Sequence, residues 1–117
     1  MQYIPKFILY NKLDGIMYPV DSLEYPLSGS GIIVTSYIND IERKVFTIRK
    51  NDFKHNYELL QYVGMKDQTD KEIYESYILK IKDVKTVIIR SLDDWYKLIH
   101  KEDLKPEDIL IIGNIYQ

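Results

Sequence analysis

The chain has 117 residues and no cysteine, with 16 Lys and Arg against 18 Asp and Glu for a formal net charge of -2. That length suits one domain with one sizeable core, and the lack of cysteine excludes disulfides and thiolate metal sites and fits a reducing, cytoplasmic setting. The charge balance lacks the cationic excess on which binding to phosphate backbones draws, and no apolar run approaches the roughly 18 residues of a membrane span.

Taken in chain order, the pattern is mainly β. Isoleucine and tyrosine are prominent in the apolar content, and alanine, the best helix former, is absent. The opening MQYIPKFILY has no basic region followed by a long apolar stretch, so no signal peptide is expected. Phe7–Leu13 and Ile16–Val20 read as a hairpin joined through Asp14-Gly15, a short-turn dipeptide. Pro19 and Pro26 push the segment 21–30 towards irregular structure. Ile32–Ile38 and Lys44–Lys50 form a second pair turning near Asn39-Asp40. In its second strand Val45 and Thr47 face one side and Phe46 and Ile48 the other, which predicts cover on both faces.

Leu59–Val63, Tyr77–Lys82 and Thr86–Arg90 read as further strands, with a loop over 64–70. Helical spacing appears after Ser91. This serine is a fair N-cap, and Leu92, Trp95, Leu98 and Ile99 fall on one helical face. Pro106 blocks continuation, and Ile109–Tyr116 returns as a strand in which Gly113-Asn114 suggests a bulge.

Residues that carry chemistry are sparse. His55 and His100 lie far apart, with no partner at metal-ligand spacing. Ser28-Gly29-Ser30-Gly31 lacks the lysine and helix of a phosphate loop. Asp67, Asp70, Glu72 and Glu75 are too loosely spaced for a calcium loop and read as turn formers and edge charges. No enzyme, metal or cofactor is expected. Charge is unevenly spread: Arg43, Lys44, Arg49, Lys50 and Lys54 make a basic stretch, while the segment 93–108 leans acidic. Eleven tyrosines and one tryptophan exceed what a small core hides, since buried hydroxyls need partners. Tyr3, Tyr25, Tyr37 and Tyr96 are the candidates for exposure.

Three ordered blocks carry a family resemblance. They are Lys6-Phe7-Ile8-Leu9-Tyr10 with Asp14-Gly15 and Met17-Tyr18; then Gln61, Tyr62, Gly64, Lys66, Asp67, Lys71, Glu72, Ile73, Tyr74 and Glu75; then Gly113-Asn114-Ile115-Tyr116. The chain resembles the YopX-like family of small phage and prophage proteins. Where that family usually has glycine-aspartate after the tyrosine-glutamate pair, this chain has Ser76-Tyr77, so the turn there is expected to differ locally.

The resemblance implies a single domain over residues 1–117, an SH3-like small barrel with an N-terminal β-hairpin extension and one short helix. The motif residues Phe7, Met17, Tyr18, Gln61, Tyr62, Gly64, Asp67, Ile73, Tyr74, Glu75, Gly113, Asn114, Ile115 and Tyr116 are expected to be mainly structural. Gly64 would close its strand with a positive φ, and Tyr62, Ile73, Tyr74, Ile115 and Tyr116 would pack the barrel. The function implied is that of a cytoplasmic phage or prophage accessory protein in a bacterial host. It would bind a host or phage protein without catalysis, in the sharper version inhibiting a defence or replication factor. Arg43, Lys44, Arg49, Lys50 and Tyr96 form the candidate surface, and self-association, with the acidic segment meeting the basic stretch of a second copy, is a variant of that reading. The alternative is a nucleic-acid-binding barrel using the 43–54 stretch, with Phe46 and Phe53 stacking on bases.

Overall fold

The computed structural model describes residues 6–25, 31–49, 52 and 55–116. Tyr3, Lys50, Phe53 and Lys54, and the glycine-serine segment as far as Ser30, lie outside them. The described chain is mostly strand, with one α-helix. Its strands are β1 Phe7–Asn11, β2 Ile16–Pro19, β3 Ser22–Glu24, β4 Gly31–Tyr37, β5 Arg43–Arg49 and β6 Tyr57–Lys66, then β7 Glu72–Tyr74, β8 Tyr77–Ile81, β9 Lys85–Ile88 and β10 Ile109–Asn114; the helix α1 is Leu92–Glu102. An SH3-like arrangement is compatible with these sheets. The chain separates into two compact units, one over Lys6–Leu60 and one containing Gln61–Gln117. The one core expected from chain length gives way to two buried clusters, one in each unit.

In the N-terminal unit, β1 and β2 pair in antiparallel register from Ile8↔Pro19 to Asn11↔Ile16. The connection is four residues, longer than the two-residue turn expected from Asp14-Gly15. Asn11 sets that length: its backbone carbonyl accepts from Gly15 N–H at 2.8 Å and its side chain from Leu13 N–H at 3.0 Å. Gly15 supplies the left-handed φ of 72° that closes the loop. The second sheet runs β3-β4-β5, both pairs antiparallel. Its turn forms where expected, because the Asn39 side chain accepts from both Ile41 and Glu42 N–H. Leu9, Tyr18, Ile32, Val34 and Ile48 make the cluster, flanked by Phe46, Tyr57 and Leu59. Full burial of each large aliphatic side chain contributes about 1.5–3 kcal/mol.

The expected cover on both faces of β5 is overturned. Phe46 and Ile48 turn inward, whereas Arg43, Val45, Thr47 and Arg49 are all exposed. An antiparallel sheet can pack one face on the core and leave the other to water, as β5 does.

In the C-terminal unit the end of β6 pairs with β7 in antiparallel fashion. There β10, β8 and β9 form an antiparallel sheet in that order. Helix α1 begins where Ser91 accepts from Asp94 N–H at 3.2 Å, and it ends at Asp103, whose left-handed φ of 49° places its N–H on the Ile99 carbonyl. Trp95 is buried among Val63, Ile73, Leu79, Ile81, Ile89 and Ile109, and Leu92, Leu98 and Ile99 pack beside it, the face predicted from spacing. The expected bulge in β10 is present: pairing jumps from Ile111↔Leu79 to Gly113↔Ile78 and leaves Ile112 as the extra residue.

Candidate functional site

Within the C-terminal unit the central and closing motif blocks converge. β6 does not stop at Gly64 but runs on to Lys66, so the expected 64–70 loop is shorter. Gly64 does have the expected positive φ, 94°, yet it sits in an irregularity where register passes from Tyr62↔Tyr74 to Lys66↔Glu72. Strand pairing resumes beyond it, because a residue without Cβ absorbs the extra backbone.

Asp67 is the hub of the loop. It is 2% exposed. One carboxylate oxygen accepts from Thr69 N–H at 2.9 Å, the Thr69 hydroxyl at 2.7 Å and Lys71 N–H at 3.1 Å. The other accepts from Ile111 N–H at 3.0 Å, joining this loop to β10. Burial alone would raise its pKa, but the bonds from Ile111, Thr69 and Lys71 outweigh that and hold it below the ordinary carboxylate value.

Gln61 and Glu75 bind each other across the β7 end: Gln61 N–H donates to the Glu75 carboxylate at 2.8 Å, and Glu75 N–H to the Gln61 carbonyl at 3.0 Å. Ser76 follows with φ 72°, a left-handed residue where the resembling family carries glycine. Ser76 is buried, and its carbonyl accepts from Ile115 N–H at 3.0 Å.

Three tyrosines from three strands line up beside this turn. Tyr62 and Tyr74 have ring centroids 5.6 Å apart, and Tyr74 and Tyr77 5.8 Å. Tyr74 donates to Glu72 at 3.3 Å. Burial first, then the Glu72 charge, push the phenols of Tyr74 and Tyr77 upward, so both keep their protons. Beside them a cavity of about 220 Å³ is lined by Lys71, Glu72, Tyr77, Ile111, Gly113 and Asn114. These groups can donate hydrogen bonds and stack. The one buried carboxylate nearby, Asp67, has both oxygens already committed.

The motif residues do not all pack inward. Ile73 and Tyr74 are buried and Tyr62 and Tyr116 partly so, but Ile115 is 42% exposed, contrary to expectation. The bulge at Ile112 rotates the end of β10, and Asn114 takes the buried place, its side chain accepting from Tyr116 N–H at 2.9 Å. In the N-terminal unit Phe7 and Met17 are half-buried and Tyr18 buried. Tyr18 donates to Asp14 at 2.6 Å and accepts from the Lys44 ammonium at 3.3 Å.

The basic stretch is not one surface. Arg43 and Arg49 lie on the open face of β5, but Lys44 belongs to the opposite side, its ammonium 5.3 Å from the Tyr18 ring centroid. Phe46, expected to offer a stacking face, packs inward instead, 5.0 Å from Tyr18 and 6.0 Å from Tyr57. Strand alternation dictates this, placing Lys44, Phe46 and Ile48 together. Tyr25, Tyr37 and Tyr96 are exposed, as expected, with Tyr96 standing on α1. The acidic segment is partly neutralised within the chain: Asp93 pairs with Lys97 at 3.0 Å, and Glu102 with Lys85. His55 and His100 are both exposed. Among the described residues, no group of three or more His, Asp and Glu side chains is placed to hold a metal, and no helix is long and apolar enough to cross a membrane.

Sequence reasoning missed two arrangements, the Asp14–Tyr18–Lys44 chain and the Glu72–tyrosine cluster. Their signal was the short spacing of carboxylate and tyrosine, 14 to 18 and 72 to 74. The crystal structure of protein EF1440 from Enterococcus faecalis is similar in fold, with a TM-score of 0.53 and 18% identity over 98% of this chain and 95% of that one. No curated protein matches significantly. The family described as YopX protein matches residues 6–117, both units together, and the chain belongs to that family.

Proposed function

We propose that this YopX family member is a phage or prophage accessory protein that works without catalysis, in the host cytoplasm, by binding a partner protein. The observation that carries the reading is the open face of β5. Tyr37 and Val45 are 51% and 53% exposed, and Arg43, Thr47 and Arg49 share that side of a strand at the end of its sheet. Such a strand offers unpaired main-chain groups to another chain, and tyrosine and arginine are the residues that most often dominate binding energy at interfaces. The C-terminal cluster supports the same reading. Its phenols stay protonated and the Asp67 carboxylate is saturated with hydrogen bonds, so both are suited to holding shape. A target among host defence or replication proteins fits the phage lineage of the family and is the sharper form of the proposal.

Nucleic acid is the weaker reading. Phe46 is turned inward and Lys44 lies across the sheet from Arg43 and Arg49, which supports a protein partner over a polynucleotide. The test is capture from lysogenic or infected host extract with the wild-type chain and with Val45→Lys. A protein captured by the first and lost with the second, at unchanged thermal stability, is the expected result. Capture that ignores Val45→Lys, or a salt-sensitive complex with single-stranded nucleic acid alone, overturns it. If the captured protein is a second copy of this chain, light scattering shows a dimer that Val45→Lys dissolves.

A further inference from the structure

A second feature of the N-terminal unit, lined from the inner side of β5 but bordered by Tyr37 of the open face, has the make-up of a ligand site. At one end of the buried cluster Ile16, Met17, Tyr18, Ser36, Ile38 and Lys44 line a cavity of about 380 Å³. Ile16 and Ile38 are 48% and 50% exposed at its rim, whereas Ser36 is 0% exposed. Its mouth is apolar, and Ser36 is a buried member of its lining. Its volume sits at the small end of the range for ligand pockets, about 300–1,000 Å³.

The polar groups at this end are not balanced. The Ser36 hydroxyl is buried with no hydrogen-bond partner, alone in this among the described residues. Buried polar groups are almost always paired, so an orphan calls for an explanation. Ser36 stands opposite Lys44 in the β4–β5 register, which puts both side chains on the inner side of the sheet. The Lys44 ammonium gives one hydrogen bond, to the Tyr18 oxygen at 3.3 Å. It has no carboxylate within ion-pairing distance among the described residues, although the Asp14 charge acts on it from beyond the Tyr18 hydroxyl. Tyr18 cannot offer its own proton, which is committed to Asp14 at 2.6 Å. Asp14 in turn accepts both from Tyr18 and from Ile16 N–H, at 2.9 Å. What remains unspent here is donor capacity: a hydroxyl proton and the other ammonium protons, beside apolar walls.

We propose that this cavity binds a small apolar carboxylate, with the apolar body against Ile16, Met17 and Ile38 and the carboxylate on the Lys44 ammonium and the Ser36 hydroxyl. An anion is favoured over a neutral amide because the open groups are donors and one carries charge. The apolar body gains by covering side chains that now face water.

The probe pair is phenylacetate and phenylacetamide, matched in shape and different in charge, titrated into the full-length protein while backbone amide NMR signals are followed. Phenylacetate should give saturable shifts confined to the neighbourhood of Ile16–Tyr18, Ser36–Ile38 and Lys44, and bind about tenfold more tightly than the amide, the worth of one charge-assisted hydrogen bond. Lys44→Met should erase that difference. Ser36→Ala should weaken phenylacetate about five- to tenfold while leaving the denaturant midpoint unchanged or higher, because the free protein loses no partner for that hydroxyl. A merely structural serine would show the reverse, lower stability and unchanged binding. Equal affinity for both probes, or shifts that scatter without saturating, overturns the proposal, and neither result bears on the Val45 face.

Discussion

Replacing Asp67 tests whether one carboxylate holds the central motif to the closing strand. It accepts four hydrogen bonds, three on one oxygen from Thr69 and Lys71 and one on the other from Ile111. A bond to a charged acceptor contributes about 1.5–3 kcal/mol net, although water can take over part of this for donors near the surface. Thr69 and Lys71 are exposed and Ile111 half-buried, so only the last bond counts in full. Asp67→Ala should then cost about 3–4 kcal/mol, a large share of the roughly 5–15 kcal/mol that holds a domain. Asp67→Asn keeps an acceptor for the loop but turns an amide towards Ile111 N–H, and should cost about 1–2 kcal/mol.

The same carboxylate fixes a pH dependence. Its folded pKa lies below the ordinary 3.8, because the hydrogen bonds outweigh burial. The native state therefore binds that proton less readily than the unfolded chain. The stabilisation is complete above the unfolded value and is lost as pH falls from there through the folded value. Urea unfolding at neutral pH and at steps below pH 4 measures both effects, with m checked for constancy. An alanine variant within about 0.5 kcal/mol of wild type, an asparagine variant as damaging as alanine, or an acid limb unchanged in Asp67→Asn would refute the reasoning.

Three further outcomes follow from the backbone and the phenols. Gly64→Val should lower stability by at least about 1 kcal/mol through φ alone, since a Cβ there meets nothing within 4 Å; an unchanged denaturant midpoint would show the 94° angle to be unimportant. Ser76→Gly should hold or raise the midpoint by up to about 1 kcal/mol, because relief of a φ of 72° offsets the looser unfolded chain, and a clear loss would mean that the Ser76 side chain has a role of its own. Tyr74, with its folded pKa raised above 10.0, adds stability that is full below that pH and declines as pH rises through the folded value. Tyr74→Phe should blunt the alkaline loss, and phenolate absorbance should show one fewer late-titrating tyrosine.

The sequence was most readable where one rule acts alone. Ser91, the apolar stripe ending at Ile99 and Pro106 locate α1 because capping, period and a missing N–H agree. Asn39 locates the β4–β5 turn for the same reason, its side chain replacing backbone partners. Legibility failed where a local rule competes with tertiary arrangement. Asp14-Gly15 favours a two-residue turn, but Asn11 captures the loop one turn earlier. Apolar residues on both faces of β5 suggested burial on both, yet an antiparallel sheet can leave one face to water. Two clusters in place of one core could not be foreseen either, because strand patterns fix which residues point inward and not which strands share an interior.

The tyrosines show how far composition can be taken. An amphipathic ring serves a core or a surface equally well, so eleven of them left the interface open to any face. The structure divides them by what receives the hydroxyl. Tyr18 and Tyr74 are buried, and each donates to a carboxylate on its own hairpin or strand, Asp14 and Glu72. A tyrosine with a nearby acid is thus partly a way of placing an amphipathic ring in a small interior with its hydroxyl satisfied. Among the described residues, only Tyr25, Tyr37 and Tyr96 remain exposed. Of these, Tyr37 alone lies on a strand paired with β5, directly opposite Arg43. An aromatic and a guanidinium side by side on a sheet face, with β5 the end strand of that sheet among the described residues, combine area and charge within one short span. That combination singles out Tyr37 and Arg43, ahead of Tyr25 and Tyr96, as the residues whose replacement should cost a partner most.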